Sequence, residues 1–596
     1  MKAVAALKIS PLFRALDRRS LRALGDAAEW RDYRGGEYLF RRGQPGDALF
    51  LVVHGRVRVI RAADRGAPAA VVEAGLGQTV GEVALVTGEP RVADALALRD
   101  SRVLRISQSA FEAVVQRHPA AMLALVRQLL ERQRHDAVTH PRDRRRSART
   151  YALVPAHDGI DIRGIGSAFS RTLAGFDSLM RLDPSRVDQA LGEGAAATDF
   201  EAGGNARVAG WLNRLEDAYR YLVYQATGEL DAWTRRCVRQ ADRIVVIAHR
   251  DRDPAGSRVL AWLREAELRA PVELLLLDRD DDEAPARSAD WQSVLAVERQ
   301  HRIDASLPAA ALGRAVRLIS GQALCVVLGG GGARGFAHVG LLRALEDRGL
   351  AVDAVGGTSM GAFVGGLVAC GHDSDTVLDT LRDTFVTHNY LNDYSFSRVS
   401  LISGQKFRRQ LLSIFGERRI EELPMPFFCE STNLTRGLPV VHNHGHLADW
   451  VGTSMAVPGI APPTVYQGDL LVDGGLMRSI PFETMHAMGL GPVLVSDVSR
   501  NADLRVEQAR GELPELLSSV DGAPRHLNIF KILFQSATLT SERETRELDR
   551  QADLVLHMPV GESGMFDWED IDGIVYRAYH HADEQLDRWA GGGTSG

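Results

Sequence analysis

Ala351-Val352-Asp353-Ala354-Val355-Gly356-Gly357-Thr358-Ser359-Met360-Gly361, continued by an apolar run to Cys370, is the stretch that decides how this chain folds. A β-like run at 351–355 passes through a serine flanked by glycines into a helix-like run at 362–370. That is GxSxG in strand–turn–helix context, the setting of a nucleophile elbow. Gly357 and Gly361 permit a strained turn that lifts the Ser359 hydroxyl above a sheet. A chance GxSxG is common in a chain with 57 glycines, but few would fall between a strand and a helix.

Working outward, a buried-looking strand at 323–328 precedes Gly329-Gly330-Gly331-Gly332-Ala333-Arg334-Gly335 and a helix at 336–348. Such a loop turns tightly and aims bare N–H groups at an anion, backed by the helix dipole. Residues 330–335 also satisfy GxGxxG, the dinucleotide fingerprint, which is a weak signal alone. The elbow decides against a dinucleotide fold, which needs neither the turn nor its serine. Downstream, a strand at 470–472 leads into Asp473-Gly474-Gly475. By itself this reads as a tight turn. Beside an anion loop and an elbow it reads as the base that a serine hydroxyl requires.

These motifs, in this order, resemble the patatin-like phospholipases. The resemblance rests on LGGGGARGFAHVG (328–340), GGTSMG (356–361), SMAVPGIAPP (454–463) and LVDGG (471–475), and covers about 260 residues. It implies a Ser–Asp dyad without histidine, with Ser359 as acyl acceptor and Asp473 as proton acceptor. It also implies an oxyanion hole drawn from Gly330, Gly331, Gly332, Ala333, Arg334 and Gly335, with Gly357 and Gly361 shaping the elbow and Gly474 and Gly475 completing the base motif. A Ser-His-Asp triad is the competing mechanism. His442, His444 and His446 invite a base or a metal, but their glycine and asparagine spacers mark a hairpin turn. His338, inside the helix after the loop, reads as packing. No metal site is expected, and no cofactor.

Four cysteines (Cys237, Cys325, Cys370 and Cys429) stand far apart without CxxC spacing, which fits a reducing compartment. Net charge is −6, so whole-chain electrostatics give no case for nucleic acid. The N-terminal apolar run is too short for a signal peptide, and no run approaches the ~20 apolar residues that span a bilayer. The expectation is a soluble cytoplasmic protein, peripheral on the inner membrane surface, with a homodimer left open. No internal repeat of fixed period is apparent.

At 596 residues the chain calls for several domains. Short β-rich runs at 38–40, 48–53, 56–61 and 70–73 alternate with glycine turns and predict a β-roll, trailed by a helix over 108–134. Gly81-Glu82-Val83-Ala84-Leu85 followed by Pro90-Arg91-Val92-Ala93 resembles the phosphate cassette of cyclic-nucleotide-binding domains. That resemblance implies a candidate site at Gly81, Glu82, Arg91 and Ala93. Asp94 departs from it, standing where binders carry serine or threonine, and either repels a phosphate or pairs with Arg91. An arginine-dense run at 140–147 reads as a solvated linker, with anionic lipid headgroups as the sharper alternative. Alternating strands and helices between 150 and 312 predict a Rossmann-like parallel sheet without a nucleotide fingerprint.

The expected architecture is therefore multidomain: a cyclic-nucleotide-binding-like β-roll (1–135), a basic linker (136–149), a Rossmann-like α/β domain (150–312) and a patatin-like α/β hydrolase domain (315–596). That order of parts, with the stretch YLVYQATGELDAWTRRCVRQA at 221–241, resembles the neuropathy target esterase family and its bacterial relatives. By resemblance the substrate is phospholipid or lysophospholipid. The rivals are a soluble esterase on small acyl esters, a nucleotide-regulated scaffold, and a transcription regulator. The last needs a helix-turn-helix after the roll, where the sequence supplies only the arginine-rich linker.

Overall fold

The computed structural model describes residues 3–592 apart from 14–15, 61–70, 118–147, 200–203, 266–269, 279–290, 292–295, 304–307, 391, 395–398, 500–547 and 562. The arginine-dense run and the end of the helix expected over 108–134 lie outside the described residues; that helix is described over Gln108–Arg117. The chain divides into two compact units, Met1–Ser320 and Gly321–Gly596.

The first unit opens with strands β1 (Glu29–Tyr33), β2 (Tyr38–Phe40), β3 (Ala48–His54), β4 (Val57–Ile60), β5 (Val71–Ala74), β6 (Thr79–Val80), β7 (Asp94–Ala97) and β8 (Ser101–Ser107). They form two antiparallel four-stranded sheets, β1-β8-β3-β6 and β2-β7-β4-β5, the expected roll. Strands β9 (Thr150–Pro155), β10 (Leu179–Leu182), β11 (Tyr221–Gln225), β12 (Arg243–His249), β13 (Val272–Leu277) and β14 (Arg299–Ile303) follow. They make an all-parallel sheet in the order β10-β11-β9-β12-β13-β14. Central strands of such a sheet are covered on both faces, which is why Tyr151 to Val154 and Ile244 to Ala248 are apolar without alternation. Side-chain caps start the intervening helices: the Asp231 carboxylate accepts from the Thr234 N–H at 2.7 Å, ahead of Ala232–Gln240.

Roll and α/β domain are joined through buried charge. Asp242 Oδ1 accepts from Arg56 Nε at 3.1 Å and Arg99 Nε at 2.7 Å, while Arg99 grips Glu216 with two bonds of 3.0 Å. Asp242 Oδ2 accepts the N–H groups of Arg149 and Thr150. Burial pushes the Asp242 carboxyl up, but Arg56, Arg99 and the Arg149 N–H outweigh it and hold it well below the usual range.

The second unit contains β15 (Cys325–Leu328), β16 (Ala354–Thr358), β17 (Phe427–Asn433), β18 (Leu438–His442), β19 (Thr464–Tyr466), β20 (Asp469–Asp473), β21 (Val493–Asp497) and β22 (Leu554–His557). The sheet runs β19-β20-β17-β16-β15-β21-β22, with β18 on β17. Strands β22, β21, β15, β16 and β17 are parallel; β18 and β20 run antiparallel to β17, and β19 antiparallel to β20. A strand has two edges, and the register of β17 shows how they are shared. One edge pairs β18 through residues 429–433. The other pairs β16 up to Glu430↔Thr358 and then β20 from Ser431↔Asp473. Strand β20 thus comes in head-on where β16 stops. The elbow strand lies three residues later than the run read from sequence, at Ala354–Thr358.

Candidate active site

Ser359 stands between β16 and the helix Met360–Ala369, with φ 55° and ψ −121°. A non-glycine residue with positive φ is held there by its surroundings rather than by preference. Space explains the flanking glycines. A Cβ at Gly361 would sit 2.1 Å from the Leu328 carbonyl oxygen, and one at Gly357 would sit 2.3 Å from that of Gly361. The turn closes only without side chains.

The Ser359 hydroxyl donates to Asp473 Oδ2 at 2.6 Å. Asp473 ends β20, one register step beyond Thr358, so the head-on meeting of β16 and β20 brings the pair together. The other carboxylate oxygen accepts from the Gly475 N–H at 2.7 Å, and the Asp473 N–H donates to Ala456 O at 2.8 Å. Asp473 is 3% exposed. Burial pushes its carboxyl up to about 6, against the opposing pull of the Ser359 and Gly475 hydrogen bonds.

The glycine loop lies beside this pair: a Cβ at Gly330 would be 3.3 Å from Ser359 Cβ. The structure narrows the expected oxyanion donors. The Gly330 N–H is spent on Ser479 O at 2.9 Å, and the Ala333 N–H on Met565 O at 2.8 Å. Arg334 and Gly335 lie inside the 3-10 turn Gly332–Phe336, with Arg334 Nε folded back on Gly331 O at 3.3 Å. Gly331 and Gly332, at the start of that turn, hold positions whose N–H groups have no partner within it.

Sequence reading missed three supports. Ser454 Oγ accepts the Ser359 N–H at 3.0 Å and donates to Glu430 O at 2.6 Å, pinning the elbow to β17. Ser479 holds Gly330 through its carbonyl and hydroxyl. His338, read as packing, is a brace: fully buried, its Nε2 bonds Gly329 O and its Nδ1 bonds Ser496 Oγ, each at 2.8 Å. A carbonyl only accepts, so Nε2 carries the proton and Nδ1 takes one from Ser496. Burial pushes this imidazole down to about 4, so it is neutral near pH 7. Ser454 and His338 lie within the motifs SMAVPGIAPP and LGGGGARGFAHVG, whereas Ser479 lies in none of them.

The histidine cluster is corrected. The hairpin turn lies at residues 434–437, between β17 and β18, and His442 belongs to β18 rather than to a solvated turn. It is buried, bonds Ser431 Oγ at 2.7 Å and stacks on Trp450 at 4.0 Å. His444 is exposed and His446 half-buried. Among the described residues no histidine bonds Ser359 or Asp473, and no cluster of three or more His, Cys, Asp or Glu has a metal-holding arrangement.

In the roll, Gly81 (φ 88°) does open a short helix, Glu82–Thr87, and Glu82 and Ala93 are buried beside it. Arg91, however, is turned inward: it donates to Gly81 O at 2.8 Å and Ala48 O at 2.6 Å, and lies 4.2 Å over the Phe40 ring. Its carboxylate neighbour is Asp47 at 3.5 Å. The expected Arg91–Asp94 pair does not form, because Asp94 instead accepts the Arg42 N–H at 2.7 Å.

Three family models match: "Patatin-like phospholipase" over residues 326–486, "Cyclic nucleotide-binding domain" over 30–118, and "Neuropathy Target Esterase family P-loop like domain" over 147–311. Ser359 and Asp473 both fall within the first. Among curated relatives, mouse (Mus musculus) "Patatin-like phospholipase domain-containing protein 7" is 27% identical over 96% of this chain and 46% of its own. "Lysophospholipase NTE1" of Mycosarcoma maydis is 28% identical over 95% and 34%, and "Neuropathy target esterase sws" of Drosophila melanogaster 29% over 83% and 37%. The chain spans less than half the length of these relatives.

Proposed function

We propose that this chain is a serine acyl hydrolase acting on phospholipids or lysophospholipids through the Ser359–Asp473 dyad. The observation that carries the reading is the 2.6 Å bond from a strained elbow serine to a buried carboxylate. A carboxyl poised near 6 is a base at neutral pH and still basic enough to take a serine proton in the transition state. Ser359 Oγ attacks the ester carbonyl carbon while its proton passes to Asp473 Oδ2. The oxyanion that develops is met by the N–H groups of Gly331 and Gly332. Collapse breaks the ester C–O bond, and the leaving alkoxide takes the proton from Asp473. Water then attacks the acyl-Ser359 ester, giving its proton to Asp473, and fatty acid departs as the proton returns to Ser359. No step calls for a metal or cofactor. His338 acts only by fixing the Gly329 carbonyl, and with it the loop.

The relative named a lysophospholipase supports the single-chain lipid as substrate. A cytoplasmic setting with peripheral contact on the inner membrane surface is consistent with such a substrate. Among the described residues no helix is long and apolar enough to cross a membrane. The front module is proposed as a structural partner of the α/β domain rather than a tight nucleotide receptor, because Arg91 is committed to backbone carbonyls. Lipid-class profiling decides among the readings. The wild type should release fatty acid from lysophospholipid or phospholipid, and Ser359→Ala should lower the rate by about 10³-fold or more. Turnover confined to short soluble esters would favour the small-ester rival, and an active Ser359→Ala would end the dyad reading.

A further inference from the structure

Among the described residues fifteen large apolar side chains are exposed, and nine of them lie between Tyr394 and Leu470. Single exposed apolar residues need no explanation, but these are gathered by the fold. Beyond Glu430, which is level with Thr358, β17 runs on for three residues to Asn433, about 10 Å past the end of β16, and Leu434 opens the turn that follows. It carries β18, β20 and β19 with it as a projecting flap on the side where Ser359 emerges. The Leu434 N–H donates to Leu470 O at 2.8 Å, and Val465 stands directly opposite Leu470 in the β19–β20 ladder. Leu434, Val465 and Leu470 are 50%, 71% and 41% exposed, so they form one outward apolar group. A second segment lies alongside: Leu401 and Ile402 donate to Gly459 and Ile460 O, on the chain leading into β19, and bring up exposed Val399 and Tyr394.

We propose that this flap docks on a phospholipid bilayer, placing Leu434, Val465 and Leu470 among the acyl chains beside the catalytic edge. The proposal rests on the ester-hydrolase reading above. Two observations favour a bilayer over another occupant. A second copy seated on this face would cover the edge where the ester must enter, whereas a bilayer is the source of that ester. The one cation at the flap tip, Arg436, is neutralised by Asp469 at 2.7 Å. The contact is therefore apolar rather than electrostatic, and suits zwitterionic as well as anionic lipid.

The test is flotation of the full chain with phosphatidylcholine vesicles, with and without 0.5 M salt (roughly a 4 Å screening length). The wild type should float at both salt levels. Leu434→Ser/Val465→Ser/Leu470→Ser should bind roughly tenfold or more weakly. Its hydrolysis of vesicle lipid should fall in step, while turnover of a monomeric short-chain ester stays within about twofold. Tyr394→Ser, on the second segment, should weaken flotation in the same direction. Unchanged flotation of the triple variant overturns the proposal. So does a triple variant that turns from dimer to monomer with flotation intact, since the face then belongs to a second copy. A wild type that floats through these residues yet cleaves no ester upholds the surface and removes the hydrolase reading instead.

Discussion

Replacing Asp473 by asparagine preserves the shape of the dyad and removes its charge, and the structure sets opposite signs for activity and stability. Activity should fall by about 10³-fold or more, because nothing else among the described residues is bonded to the Ser359 hydroxyl to take its proton. Stability should rise. A carboxyl that ionises near 6 in the fold and 3.8 when unfolded costs the folded chain about 3 kcal/mol at neutral pH, at about 1.4 kcal/mol per tenfold. The sign follows from the raised value: the protonated acid's contribution is fully present below the unfolded value and lost as pH rises through about 6. Asparagine never ionises, so the variant escapes that loss. Its amide oxygen still accepts from Gly475, and its NH₂ still bonds the Ser359 oxygen with donor and acceptor exchanged. The variant's advantage should be near zero at about pH 4 and full above about pH 7. That is roughly a 6 °C rise in the melting transition of the catalytic unit, at about 2 °C per kcal/mol. Scanning calorimetry from pH 4 to 8, alongside the ester assay, measures both. The wild-type kcat/KM should climb through about pH 6 over the same range. A variant that melts no higher than wild type at pH 8, an advantage independent of pH, or near-normal turnover would each refute the reasoning.

Asp242→Asn should destabilise the first unit by about 3 kcal/mol, because Arg56 and Arg99 stay buried with less counter-charge; a loss well under 1 kcal/mol in denaturant unfolding would contradict this. Since that carboxyl is held low, the network's contribution is present above the unfolded value and should fade as pH falls below about 4. Calorimetry on the full chain should find no micromolar binding of cyclic AMP or cyclic GMP. Asp94→Thr alone should not create it, since Arg91 is engaged elsewhere; micromolar binding by the unmodified chain would show that Arg91 swings out.

The sequence by itself determined the parts that depend on a few consecutive residues. Glycines at 357 and 361 around Ser359 declared the elbow, because no other residue clears the Leu328 and Gly361 carbonyls. Alternating strand-like and helix-like runs between 150 and 312 declared the parallel sheet. Asp473 was legible as a base only through the company of the other motifs. Only the tertiary structure decided how Ser359 and Asp473, 114 residues apart, come within 2.6 Å. That required β20 to enter antiparallel at the end of β16, a choice of edge and register that leaves no mark on local periodicity. The same holds where the sequence misled. His442 looked solvated because its neighbours suit a turn, yet Trp450 stacks over it. Arg91 looked ready for a phosphate, yet Gly81 and Ala48 carbonyls claim it. Arg56 and Arg99 carried no signal in the sequence, yet both are buried against Asp242. Backbone preference is set by adjacent residues and can be read from them. The partner of a buried polar group is whichever complementary group packing brings within reach, and nothing next to it in the chain reveals which.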